Sequence, residues 1–293
     1  MAVEDAFRAH AETQESVRLL LAGFVDEIMA AGFALGTFLA DGDAYLAGFA
    51  ALIVEDFATL GSTEVLAGAE EYLKTAGVEG WAEGVAARAI VREAMARTSA
   101  GSADFARGVA ADFAAFVTGL RTSGMDDDAI LAALTSSEGF QLRVLGRFRG
   151  GLKDMARGFV TTLDDVSYQA AFERRRGRGL PNKHVWVTRY DGKVCGKDAV
   201  GAGAWRVSCW HRHKLSKTYV EWQRAGLPGS GVTYCRRNCR CVLFPAARVR
   251  DTDLTDPLDI GEAMKGAQKR IDRRLREIAD YAKKRAPVYR AGG

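Results

Sequence analysis

The chain of 293 residues has no long apolar run, only 4 histidines and, through residue 180, no cysteine. Its longest uninterrupted apolar stretch, Ala44 to Val54, covers 11 residues. A helix needs ~20 to cross a bilayer, so no membrane span is expected. No basic leader followed by an apolar core and a small-residue cleavage site opens the sequence, so export through a signal peptide is not expected either. An HExxH pair, a Walker phosphate loop and a GxSxG elbow are all absent. That removes the commonest hydrolase and nucleotide signatures and points to a non-enzymatic role. Gly201-Ala202-Gly203 is too slight for a phosphate loop. What remains has a globular makeup, 48 % apolar and 27 % charged, too apolar for wholesale disorder. The length suggests about two domains.

The net charge of +4 conceals a division. Residues 1–150 carry 11 Lys/Arg against 22 Asp/Glu, a net of −11, and residues 151–293 carry 30 against 15, a net of +15. An acidic half joined to a basic half is expected to face two environments, the basic half being a candidate for nucleic acid or another polyanion.

Residues 1–180 read as helix. Alanine dominates and apolar positions recur at three and four. Segments are expected over 4–40, 44–60, 64–74, 81–97 and 104–121, with Asp126, Asp127 and Asp128 opening another, since acidic side chains accept from first-turn amides. Ile28 to Val54 carries only Asp41 and Asp43 as charges and reads as a buried hairpin with Asp41-Gly42-Asp43 at its turn. A long helix is expected near 138–176. Leu145, Phe148, Leu152, Met155, Phe159, Leu163 and Val166 fall on one stripe of it. Gly150, Gly151 and Gly158 weaken it by about 1 kcal/mol each relative to alanine and predict a bend or a close helix approach. Arg174, Arg175 and Arg176 form a basic boundary after it.

Residues 181–250 change character. All five cysteines (Cys195, Cys209, Cys235, Cys239 and Cys241) fall here, with three histidines and four tryptophans. His184 to Arg189 alternates β-branched and aromatic residues and reads as a strand, Tyr190 to Lys193 as a turn, and Cys241 to Pro245 as a second strand. So little apolar core requires a pin. Zinc takes four N or S ligands, and closed structural sites are rich in cysteine. The ligand set expected here is Cys195, Cys209, Cys235 and Cys239, with His211 or Cys241 as substitutes. Disulfides are the alternative, although five is odd and cytosolic thiols stay reduced.

Two strings, HVWVTRYDGKVC at 184–195 and GLPGSGVTYCRRNCRCVLFP at 226–245, resemble the C-terminal signature of the phage head-morphogenesis family of minor capsid proteins. The matching positions are Trp186, Thr188, Asp191, Cys195, Cys239, Arg240 and Cys241. The sequence departs from that signature at Gly196-Lys197-Asp198, where a second cysteine is missing, and at Arg236, which stands where the family often has histidine. The resemblance implies a helical N-terminal region, a long helix and then this module. It also implies a structural role near the portal or inside the capsid, with portal or major capsid protein as partner, in the virion and, during assembly, in the host cytoplasm.

Residues 251–293 read as a basic amphipathic helix and tail. Thr255-Asp256-Pro257 signals its start. Met264, Ala267, Ile271, Leu275, Ile278 and Ala282 make an apolar stripe surrounded by lysine and arginine. Candidate contacts to packaged DNA are Arg174, Arg175, Arg176, Arg270, Arg273, Arg274, Lys283 and Lys284. The fold class expected is thus α+β: a large, mainly helical N-terminal region, a small Cys/His-rich module containing β-strands, and a C-terminal basic helix. Two other readings stay open, a zinc-stabilised nucleic-acid-binding protein outside any virion and a metal-dependent nuclease using His211 and His213 beside Asp191 or Glu221.

Overall fold

A computed structural model of the chain describes residues 3–75, 84–136, 138–175, 183–189, 195, 207–235, 239–249 and 260–292. The fold is α+β and mostly helical, as the sequence predicts. Helix α1 spans Val3–Gly32, α2 Leu35–Ala40, α3 Gly42–Thr75, α4 Val85–Ser99, α5 Ser102–Thr122 and α6 Asp127–Ser136. Then α7 (Glu138–Phe140), a π-helical turn (Gln141–Leu145) and α8 (Gly146–Arg175) follow without interruption.

Helix boundaries depart from the sequence reading where neighbours intervene. The segment expected over 4–40 breaks at Phe33-Ala34. The two expected over 44–60 and 64–74 are one helix, α3. Its glycines are not breaks but points of close approach, since a Cβ on Gly61 would meet Val17 and one on Gly68 would meet Thr13, both on α1. Asp41 separates α2 from α3, and its Oδ1 accepts from the Ala44 amide at 3.3 Å. Asp126 opens α6 by accepting from Ala129 at 2.8 Å. On α8, Phe148, Leu152, Met155, Phe159, Leu163 and Val166 are all buried. Gly151 is the close approach on that helix: the Phe105 ring of α5 occupies the space a Cβ would need.

Among the described residues one helix, Gly42–Lys74, is long and apolar enough to cross a membrane by length and composition. In this fold Phe49, Ile53 and Phe57 from it are buried in the helical core.

The described strands form a three-stranded antiparallel sheet, ordered β2 (Ser216–Thr218), β1 (Lys183–Val187), β3 (Val242–Pro245). Strand β2 was not legible in the sequence. Val185 pairs with Phe244, Trp186 with Leu243 and Val187 with Val242. Successive side chains point to opposite faces, and the two faces meet different cores. Val185, Val187, Val242 and Phe244 join the helical core, while Trp186 and Leu243 join a second core made with Cys209, Cys239, Cys241 and Trp222. The sheet is therefore the partition between the helical body and the cysteine module. Phe244 seals the helical side, its ring centroid 3.7 Å from Phe7 and 4.8 Å from Tyr72.

The final helix, α11 (Gly261–Gly292), packs along α1 and α3. Ala267, Ile271, Ile278 and Ala282 of the predicted stripe are buried, and Ala286 and Tyr289 extend it. Thr255-Asp256-Pro257 lies outside the described residues. Much of the charge division is resolved here, within the molecule. Arg270 pairs with Glu12 of α1, and Arg274 with Glu64 and Arg285 with Asp56 of α3. Part of the basic tail therefore closes over the acidic half.

Candidate metal centre

Two short helices lie in the cysteine module among the described residues. Helix α9 (Cys209–Arg212) is capped by Ser208, whose hydroxyl accepts from the His211 amide. Helix α10 (Tyr219–Ala225) opens with a capping box between Thr218 and Glu221. Arg212 ties these elements together. Its guanidinium donates to the carbonyls of Gly226 and Ala225, both at 2.8 Å, and lies 5.0 Å from the Trp186 ring centroid and 5.8 Å from that of Trp222. Trp222 in turn donates from Nε1 to the His184 carbonyl at 2.8 Å.

All five cysteines converge. Their sulfurs form two triads that share Cys209: Cys195, Cys209 and Cys235, then Cys209, Cys239 and Cys241, with the sulfurs of each triad within 4.8 Å of one another. Cys209 Sγ lies 3.2 Å from Cys235 and 3.6 Å from Cys239, and Cys195 lies 3.8 Å from Cys235. Thiolates at ~2.3 Å from a tetrahedral zinc would sit ~3.8 Å apart, so each triad has the donor chemistry and roughly the spacing of part of a metal-thiolate site, with Cys209 the sulfur they share. The backbone supports it. The Cys209 amide donates to Cys195 Sγ at 3.0 Å, an arrangement that stabilises a thiolate. Thr188 stands behind: its hydroxyl donates to the Cys209 carbonyl at 3.1 Å and accepts from Cys241 at 3.8 Å. Cys209, Cys239 and Cys241 are buried.

Crowding separates the thiols' acidities. Hydrogen bonds from Cys209 and Cys235 pull Cys195 down, and those from Cys209 and Cys235 hold Cys239 well below the usual thiol range. Neighbouring thiols push Cys209 up, and burial pushes Cys241 up. The cluster thus favours ionisation at some sulfurs and resists it at the rest.

Of the ligand set read from the sequence, Cys195, Cys209 and Cys235 share one triad, and Cys239 reaches them through Cys209. Cys241 stands with Cys209 and Cys239. His211 belongs to neither triad; its Nδ1 is hydrogen-bonded to Ser208 Oγ at 2.8 Å. His213 Nδ1 accepts from the Thr188 amide at 3.1 Å. Glu221 is held by Thr218 in its capping box. The nuclease grouping is therefore not assembled among the described residues, and Asp191 lies outside them. Arg176 also lies outside the described residues, as do the side chains of Arg174 and Arg175.

The sequence reading missed the polar network beneath the sheet. Glu15 of α1 is buried among Arg18, Arg189 and Arg240. Burial works to raise its pKa, but the three guanidiniums outweigh it and hold the carboxyl below its ordinary value. Arg189 is fully buried, which lowers it to about 9, and it also donates to Gln14. Gln14 and His10 both bond Asp164 on α8. Burial lowers His184 to about 4. The available signal was Arg240 itself, an arginine between two cysteines that folds them toward one side and itself toward the other.

No family model, no curated protein and no solved structure matches the chain.

Proposed function

We propose that this chain is a non-enzymatic structural protein of the head-morphogenesis type, a minor capsid protein that acts at the portal or inner capsid. In this reading its cysteine module is a zinc-stapled docking unit. The observation that carries it is the all-cysteine cluster, three of its five thiols buried, set against a sheet that shares its other face with the helical body. All-sulfur, closed donor sets serve structure, whereas catalytic zinc keeps an open position and a water. Cys195, Cys209, Cys235 and Cys239 would hold the ion, with Cys241 the nearest further thiol. Zinc bound there would supply folding free energy to a module with three short strands among its described residues. Arg212 lies within electrostatic range of Cys209, Cys239 and Cys241 and offsets the excess negative charge of four thiolates.

The phage assignment is supported by the motif at 184–195 and 226–245. Of its residues, Trp186 and Thr188 lie against the cluster and Arg240 is hydrogen-bonded to Glu15 of α1. The test is to purify intact particles of the encoding phage on a density gradient and quantify this chain against the portal protein by mass spectrometry. A fixed low ratio is expected. Presence in infected-cell cytosol alone, with none in particles, overturns the structural reading.

A further inference from the structure

We infer that the outward face of α11 is a docking ridge for the phosphate backbone of duplex DNA. The inference rests on how α11 is packed and not on the cysteine cluster.

The positive side chains of α11 divide into two sets. Arg270, Arg274, Arg285 and Arg290 turn back onto the helical body, to Glu12, Glu64, Asp56 and the Ala31 carbonyl. Lys269, Arg273, Arg276 and Lys284 are exposed and have no ion pair or hydrogen bond among the described residues. At 100° per residue, these four fall within about 80° of one another, opposite the buried stripe of Ala267, Ile271, Ile278 and Ala282. They span about 22 Å of helix at 1.5 Å per residue. The two remaining lysines beside them, Lys265 and Lys283, are paired with Glu262 and Asp280. Four cations without an ion pair among the described residues thus remain on this face, which also carries Glu262 and Asp280 with their paired lysines. Long, exposed lysine and arginine heads of this kind seek phosphate.

The same packing decides which polyanion. Surface binding to a bilayer requires an apolar face free to enter it, and the apolar stripe of α11 is spent on α1. Single strands require aromatic platforms, and both tyrosines of α11 turn inward: Tyr281 and Tyr289 donate to Asp56 at 2.7 and 2.9 Å. What faces solvent is mainly charge, with Val288 the one large apolar side chain exposed on α11 among the described residues, and this suits the sequence-independent backbone of duplex DNA.

The experiment titrates a random-sequence duplex with the full chain by fluorescence anisotropy across 50–200 mM salt. A parallel arm uses phosphatidylserine vesicles. Each phosphate contact contributes about −0.9 to the slope of log K against log salt, so a slope of about −3 to −4 is expected for the wild type. Arg273→Gln should reduce the slope by about one, and the combined Lys269→Gln, Arg273→Gln, Arg276→Gln, Lys284→Gln variant should abolish it, both with unchanged circular dichroism. Arg270→Gln removes the same charge from a residue already paired with Glu12 and should leave the slope intact. The inference is overturned if the wild type binds vesicles but no duplex, if the combined variant keeps its slope, or if Arg270→Gln and Arg273→Gln act alike. Duplex binding by a chain absent from virions would overturn the capsid reading and leave this one standing.

Discussion

Arg240 donates a hydrogen bond to Glu15, joining the middle of α1 to the short link between Cys239 and Cys241 across 225 positions of sequence. The sulfurs on either side of Arg240 turn into the cysteine cluster while its guanidinium turns into the helical body. Two cores that lie on opposite faces of one sheet are thereby also registered by a buried charge. Glu15 is the shared acceptor of that register, since Arg189 and Arg18 reach the same carboxylate.

Removing Glu15 should be more damaging than its size suggests. Glu15→Gln leaves Arg18, Arg189 and Arg240 buried around an uncharged amide, and stranding buried charges in this way costs roughly 3–5 kcal/mol. The expected result is a lowered urea midpoint with an unchanged slope. The wild type should show the matching pH dependence. The folded pKa of Glu15 lies below its unfolded value near 4.5. Its contribution is therefore complete above the unfolded value and is lost as pH falls through the folded one. Wild-type stability should drop more steeply than that of Glu15→Gln below pH 4.5, and parallel acid unfolding curves would refute the assignment.

Metal removal should uncouple the two units. The helical body buries its own extensive core, whereas the module relies on Trp186, Trp222, Leu243 and the cysteines. Chelation at neutral pH is therefore expected to shift the emission of the buried tryptophans toward the red while far-ultraviolet ellipticity changes little. Cys209→Ser, which removes the sulfur common to both triads, should lower bound zinc, measured by plasma mass spectrometry, more than Cys241→Ser does. Equal metal content in both variants would show that Cys209 is not the centre of the site.

Legibility in the sequence tracked the range of the interaction. The stripe from Phe148 to Val166 and that from Ala267 to Ala282 are periodic within one helix, so their burial could be read directly. The convergence of five cysteines was visible as clustering, and Cys239 and Cys241 fall in one triad. The exclusion of His211 was not visible, because it depends on the Ser208 cap one turn away. The fusion of α3 through Gly61 and Gly68 was hidden for a similar reason: propensity counts a glycine as a weakness, while here Val17 and Thr13 of another helix need its missing side chain. Arg270 and Arg274 looked like free DNA contacts because the acids they meet, Glu12 and Glu64, are some 200 positions away or more.

Asp56 should be the key residue for holding α11 in place. Its buried carboxylate takes the hydroxyls of Tyr281 and Tyr289 and the guanidinium of Arg285. Burial, together with that carboxylate, raises Tyr289 far above the ordinary phenol range. Asp56→Ala strands one cation and two hydroxyls at the α3–α11 interface, each unmet donor costing about 1–3 kcal/mol. The amides of α11 should lose protection in hydrogen exchange well before those of α8 in this variant. Uniform loss across both helices would mean that α11 unfolds only with the whole body.

Asp165 offers a change in the opposite direction. It is buried on α8, and neither carboxyl oxygen has a hydrogen-bond partner among the described residues. It borders a cavity of about 290 Å³ between α4, α8 and residues 227–230, where the Thr98 hydroxyl is likewise without a partner. Burial, then the neighbouring Asp164, raises its pKa well above the ordinary carboxylate value. A raised acid binds more protons folded than unfolded, so its presence lowers stability as pH rises above the unfolded value near 3.8. Asp165→Asn keeps the shape and removes the ionisation, so it should raise the melting temperature at pH 7. The gain should shrink toward zero below about pH 4, where the unfolded carboxyl is protonated too. Thermal scans of both proteins at pH 3.5 and pH 7 decide the matter: a variant less stable than the wild type at pH 7 would mean that the carboxylate is satisfied in solution and its charge is used.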